Sequence, residues 1–160
     1  MISITIICVG KLKEQYFTDA ANEYAKRLSG YCKPDVVEIP EYRLPDAPSD
    51  AQIALALLKE RTAIEAKIPA NAATIALCSE GREFDSRAFS KLLANFAEQG
   101  TSRLCFIVGG SYGLDEGLKD SADVRLSMSK MTFPHNLARV ILLEQLYRAF
   151  KITEGGKYHK

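Results

Sequence analysis

Five short runs of apolar, largely β-branched residues recur along the chain, and each is separated from the next by a stretch with helical spacing. The runs are "ISITIICV", "DVVEI", "ATIALC", "SRLCFIVGG" and "DVRLSMS". Near-continuous apolar strands alternating with helices cannot leave a face in water. They predict a parallel sheet covered on both sides, a three-layer α/β/α arrangement of the α/β class. At 160 residues, 47% of them hydrophobic, the chain is the size of one domain, 1–160, with a core of its own.

The punctuation between the runs sets the elements. Tyr16, Phe17, Ala20, Tyr24 and Leu28 recur at three- and four-residue spacings, with Gly30 as the stop. "EYRLPDAPSD" reads as an exposed loop that ends at an N-cap, Ser49 or Asp50, before a helix over 51–67. Asp85 caps a further helix that Gly100 closes, a short helix begins near Leu114, and a long one runs from Pro134 to about Ile152. Pro134 fits the first helical position, where its missing N–H would be unpaired anyway, and Thr132 or Phe133 would then be the cap.

The four cysteines (Cys8, Cys32, Cys78, Cys105) form no C-x-x-C pair and fall mainly in strand-like runs, so buried free thiols are expected and no metal site. No run approaches the ~20 apolar residues of a membrane helix, and the first residues lack the basic stretch and cleavage site of a signal peptide. A cytoplasmic protein is the expectation. Net charge is +1, yet residues 35–60 hold six acids against Arg43 and Lys59, while the stretch from Arg139 holds five bases against Glu144 and Glu154. An anionic partner is therefore expected at the C-terminal end.

In an open parallel sheet, ligands bind beyond the carboxyl ends of the strands. Three loops there are unusual: "CSEGREF", "GGSYGLDEG" and "SKMTFPH". The glycine loop matches neither G-x-G-x-x-G nor the P-loop, which disfavours dinucleotides and triphosphates. Loop amides beside Met and Phe in "SMSKMTFPHNLARV" suit a flat heterocycle better than a phosphate. His135 would stand in the first turn of the last helix with Arg139 one turn on, a pair suited to an anionic substrate. Glu144 and Arg148 repeat that spacing, and Tyr158 and His159 could order over a bound substrate.

Together these segments resemble a known family. "VGKLKEQYFTDAANEYAKRLSGY", "IALCSEGREF", "FIVGGSYGL", "LSMSKMTFPHNLARVILLEQLYRAFKI" and the ending "YHK" are similar to the bacterial ribosomal large-subunit pseudouridine N3-methyltransferases, minimal members of the knotted SPOUT methyltransferases. The resemblance spans nearly the whole chain. It implies S-adenosyl-L-methionine as methyl donor, lined by Leu77, Gly109, Met128, Ser129, Lys130, Met131, Thr132 and Phe133. It also implies a trefoil knot from about residue 70, which periodicity cannot reveal, and a homodimer with the site at its interface. The nearly all-apolar helix "LARVILLEQLYRAF" agrees with the last, since such a helix must be buried by something.

On that resemblance the substrate is ribosomal RNA, on the ribosome rather than free because the net charge is so small. His135 or His159 takes or relays the imide proton, Arg139 and Arg148 hold phosphate or steady the developing anion, and Tyr158 positions the base or the RNA. Lys160 stands where a terminal arginine is usual, without its bidentate fork. The rival readings are a non-catalytic ribosome-associated RNA-binding protein and a methyltransferase of the same type acting on another RNA.

Overall fold

A computed structural model describes residues 1–160. Its elements, in chain order, are β1 (Ser3–Val9), α1 (Gln15–Leu28), β2 (Lys33–Ile39), α2 (Asp50–Glu65), β3 (Ala73–Glu83), α3 (Ser86–Glu98), β4 (Arg103–Val108), α4 (Glu116–Ser121), β5 (Val124–Ser127) and α5 (His135–Thr153). All five strands are parallel, in the order β2-β1-β4-β3-β5.

Alternate residues of the central strands feed two cores. Ile4, Ile6, Leu104, Phe106 and Ile75 face one side, against Leu28 of α1, Phe89 and Leu93 of α3, and Leu142, Leu143 and Leu146 of α5. Ile7, Val9, Cys105, Ile107 and Ala76 face the other, against Ile64 of α2 and Leu118 of α4. The expected three layers follow from this alternation, with α1, α3 and α5 on one face and α2 and α4 on the other.

Helix starts behave as their caps dictate. Ser49 and Gln52 form a reciprocal capping box at α2, and the Asp85 carboxylate accepts the Ala88 amide at 2.7 Å at α3. At α4 the cap is Asp115, one residue past the expected start, accepting from Leu118 N at 3.1 Å. Pro134 is itself the N-cap of α5, with ψ at 139°, and no side chain caps that helix. Its extended ψ keeps it outside the helix, so neither Thr132 nor Phe133 serves as the cap.

Strand ends differ more. β3 runs on to Glu83 across a register shift between Leu77 and Arg82, and resumes pairing with β5. β5 stops at Ser127 and β4 at Val108, because the following residues turn away into loops. Helix α5 lies between α1 and α3, so its own chain buries Leu142, Leu143, Leu146 and Ala149. Leu137, Ile141 and Ile152 remain half-buried. All four cysteines are free; Cys8, Cys32 and Cys105 are buried and Cys78 is half-buried. No helix is long and apolar enough to cross a membrane, and no group of His, Cys, Asp and Glu has the clustering to hold a metal ion.

Candidate functional site

The loops after β3, β4 and β5 enclose a cavity of about 850 Å³ at the carboxyl edge of the sheet. That volume suits a ligand of nucleoside size with an attached side chain. Of the residues that the family resemblance assigns to the cofactor, Leu77, Gly109, Met128, Ser129, Met131, Thr132 and Phe133 line it, and so does His135. Lys130 does not; it stands exposed between two lining residues.

The backbone makes the cavity's shape. A Cβ at Gly109 would lie 2.5 Å from the Gly113 carbonyl oxygen, so the loop closes on itself there only because the residue is glycine. Gly113 supports the same turn with φ at +78°, and Gly110 and Gly113 form an isolated bridge. After β5, the buried Ser127 hydroxyl donates to the Ser129 carbonyl at 3.0 Å, and the Ser129 hydroxyl accepts the Met131 amide at 3.0 Å. These local bonds fix the loop without using core side chains. Apolar walls from Leu77, Leu114, Leu126 and Met128 and a glycine cradle fit the chemistry of an adenosyl group.

Among the wall residues that sequence reasoning did not single out are two charged ones, Glu80 and Lys119. Lys119 is buried, yet its ammonium is ion-paired to Glu80 and to Glu116, the latter at 2.6 Å. Burial would lower its pKa, but the hydrogen bonds to Glu116 and Glu80 outweigh that and raise it, while Lys119 holds Glu80 below the usual carboxylate value. A lysine in a six-residue helix carried no signal in the sequence. Burial pushes the Cys78 thiol, also in the wall, above its ordinary value.

His135 reaches the cavity from the first turn of α5, and its Nε2 lies 3.9 Å from the point a Cβ would occupy at Gly10. Arg139 turns the other way. It is buried at 3% exposure, with Nη1 donating to Glu38 Oε2 at 2.8 Å and Nη2 to the Gly10 carbonyl at 2.9 Å. Its guanidinium ties α5 to the ends of β1 and β2, and it does not line the cavity.

Arg148, Tyr158 and His159 form a second group. Arg148 Nε donates to Glu144 Oε1 at 2.9 Å, Tyr158 donates to the same oxygen at 3.2 Å, and the Arg148 guanidinium lies over the Tyr158 ring at 4.7 Å. Arg148 Nη1 and His159 Nδ1 are 3.3 Å apart. Burial, then Glu144, raises the Tyr158 pKa. Arg148 lies thirteen positions after His135 on α5, about 20 Å along the helix, and none of the three lines the cavity of its own chain.

The chain is thus an open parallel α/β domain with its cavity beyond the carboxyl ends of the strands, where such sheets bind ligands. The comparisons with known proteins specify the family. Residues 2–159 match the family model described as "Predicted SPOUT methyltransferase". The chain belongs to the SPOUT methyltransferase family. It is 45% identical to the ribosomal RNA large subunit methyltransferase H of Streptococcus pyogenes serotype M5 and 46% identical to ribosomal RNA large subunit methyltransferase H 1 of Clostridium perfringens strain SM101. Each comparison covers 99% of this chain and 100% of the relative. Among solved structures, a "probable methyltransferase" from Bordetella pertussis matches with a TM-score of 0.58 at 15% identity, covering 92% of this chain and 96% of that one. A "probable methylase family protein" from Haemophilus influenzae matches at 0.57 and 11%, covering 99% and 71%. At those identities the likeness concerns the fold.

Proposed function

We propose that the protein transfers a methyl group from S-adenosyl-L-methionine to N3 of a pseudouridine in large-subunit ribosomal RNA, on assembled ribosomes in the cytoplasm and as a homodimer. The observation that carries this reading is the cavity: the residues that the family resemblance assigns to the cofactor, Lys130 excepted, converge on one space of the right size. The names of relatives at 45% and 46% identity support ribosomal RNA as the substrate class.

When bound, S-adenosylmethionine supplies a methyl group already activated by its sulfonium. The chain's own work is to hold, orient and deprotonate. Leu77, Gly109, Met128, Ser129, Met131, Thr132 and Phe133 hold the cofactor by backbone and apolar contact. The imide nitrogen must lose its proton before it attacks, and His135, in the cavity wall, is placed to accept or relay that proton. Fixing the nitrogen in line with the methyl group supplies much of the rest of the rate.

Arg148, Tyr158 and His159 act on the same RNA from a second copy of the chain. About 20 Å of α5 lies between His135 and Arg148, and neither Arg148 nor the Tyr158 and His159 packed beside it lines the cavity of its own chain, which supports this. The half-buried apolar residues left on α5 support the dimer as well. The proposal includes a trefoil knot from about residue 70, supported by family membership and by the order β4-β3-β5, which seats β3 between two strands that follow it in sequence.

Calorimetry with S-adenosylmethionine, followed by methyl transfer to intact ribosomes, isolated subunits and naked ribosomal RNA, tests the proposal. Binding together with transfer to large-subunit RNA in ribosomes supports it. Binding without transfer to any of them leaves the non-catalytic reading, and transfer to a different RNA leaves the third.

A further inference from the structure

The basic C-terminal stretch is largely spent on internal contacts. Arg139 pairs with Glu38, Arg148 with Glu144 and Lys151 with Glu154, which leaves Lys157 and Lys160 free. Other unpaired cations stand in loops at the carboxyl edge of the sheet. Lys11 and Lys13 follow β1, Arg43 follows β2 and Lys130 follows β5, each within four residues of its strand's end. All four are exposed, and none enters any of the nine ion pairs.

Two exposed aromatic rings stand among them. Tyr42, in the loop after β2, is 42% exposed, and Tyr112, in the loop after β4, is 50% exposed and also lines the cavity. Their loops are fixed. The carboxylate of buried Glu60 accepts the Tyr42 amide at 3.0 Å, and the Ser111 hydroxyl donates to Glu41 at 3.3 Å, which joins the β2 loop to the β4 loop. The two tyrosines line one small hollow between those loops. A buried glutamate holding the backbone of an exposed tyrosine preorganises a surface residue that the core does not need.

We infer that these loops form the RNA-facing rim of the site, in which Tyr42 and Tyr112 stack on unpaired bases flanking the target while Lys11, Lys13, Arg43 and Lys130 neutralise phosphates. The inference rests on the proposed RNA substrate and adds where that RNA lies. Flat rings interleaved with unpaired cations are what single-stranded RNA requires: every base offers a face to stack on, and the backbone supplies the charge. The parallel topology concentrates them, because four strands deliver their following loops to one edge. Of the acids on that edge, Glu80 is offset by Lys119, while Glu41, which accepts only from the Ser111 hydroxyl, keeps its charge against the four cations. Lys130 thereby has a reason to point away from the cavity.

The test uses the full-length protein, S-adenosylhomocysteine as cofactor probe, and ribosomes from a strain lacking this modification. Tyr42→Ala and Tyr112→Ala should each lower kcat/KM for ribosome methylation about ten-fold, with Tyr→Phe at the same positions restoring it. Lys11→Glu, Lys13→Glu, Arg43→Glu and Lys130→Glu should weaken ribosome binding and flatten its dependence on salt, while the matched surface change Lys91→Glu does neither. Cofactor affinity should stay within two-fold in the Tyr42, Lys11, Lys13 and Arg43 variants. Rim variants that methylate ribosomes as the unaltered protein does, with an unchanged salt slope, would overturn the inference. So would variants impaired on ribosomes but unimpaired in binding the naked RNA segment around the target, since the rim would then be meeting a ribosomal protein. An unaltered protein that binds the cofactor and methylates no RNA would overturn the proposed function itself, a separate outcome.

Discussion

Arg139 and Glu38 are joined at the sheet's carboxyl edge, with Nη1 to Oε2 at 2.8 Å and the arginine side chain 4% exposed. Through this pair and the Gly10 carbonyl, the first turns of α5 are fixed to β1 and β2, and with them the position of His135 at the cavity. Arg139 is thus a positioning residue. Arg139→Met should cost about 1–3 kcal/mol, since it removes the guanidinium's two charge-assisted bonds and leaves the Gly10 carbonyl without its donor, while the exposed Glu38 carboxylate is rehydrated. Arg139→Lys should recover little, because a single ammonium does not reproduce the fork that spans both acceptors. Thermal unfolding of the two variants checks this. A loss under 0.5 kcal/mol for Arg139→Met would show that the pair fixes nothing.

Gly109→Ala should abolish cofactor binding while the fold persists. The added methyl would sit 2.5 Å from the Gly113 carbonyl oxygen, and the loop between them must open to admit it. Circular dichroism should remain that of the unaltered protein while calorimetric heat with S-adenosylhomocysteine disappears.

Thiol chemistry should separate the cavity from the core. Burial pushes Cys8 and Cys32 up to about 11 and Cys105 up to about 12, from an ordinary value of 9.0. At neutral pH a disulfide reagent should label the half-buried Cys78 first and the other three only on unfolding. Saturating S-adenosylhomocysteine should slow the Cys78 reaction, because that thiol lines the cavity. The same shifts set the sign at high pH. With folded values raised, the thiols' contribution to stability is complete below pH 9 and declines as pH rises toward 11–12, where the unfolded thiols ionise before the folded ones.

Mixing two inactive variants tests the two-copy site. Gly109→Ala destroys the cavity and Arg148→Ala removes the second group, so a mixed dimer holds one intact pairing of cavity and distal residues. Co-refolded protein should regain methyl transfer to ribosomes, up to about a quarter of the unaltered activity, and separately refolded samples should regain none. No recovery on co-refolding would place both groups at work within one chain.

The class of fold was legible in the sequence because the parallel sheet, buried on both faces, forces continuous apolar strands, and Ile4 to Val9 and Leu104 to Val108 are such runs. The cavity-facing loops were legible too, since "CSEGREF", "GGSYGLDEG" and "SKMTFPH" interrupt the strand–helix alternation after the third, fourth and fifth apolar runs. What was not legible depends on contacts distant in sequence. Nothing in "EGLKDS" marks Lys119 as the buried partner of Glu80, and i, i+4 spacing put Arg139 beside His135 when Glu38, 101 residues away, takes its guanidinium. Pro134 serves as the cap rather than the first helical residue through its own ψ, a backbone angle that composition does not fix. The register shift in β3 follows from Gly81 passing close to the β5 backbone, where a Cβ would lie 2.8 Å from Arg125 and Leu126 carbonyl carbons.

The most direct measurement is transfer of labelled methyl from S-adenosylmethionine to ribosomes lacking the modification, with the RNA then digested to nucleosides. The account predicts one labelled nucleoside, an N3-methylated pseudouridine from large-subunit RNA, lost with Gly109→Ala and strongly reduced with His135→Ala. Label on any other nucleoside, or none despite bound cofactor, would contradict it.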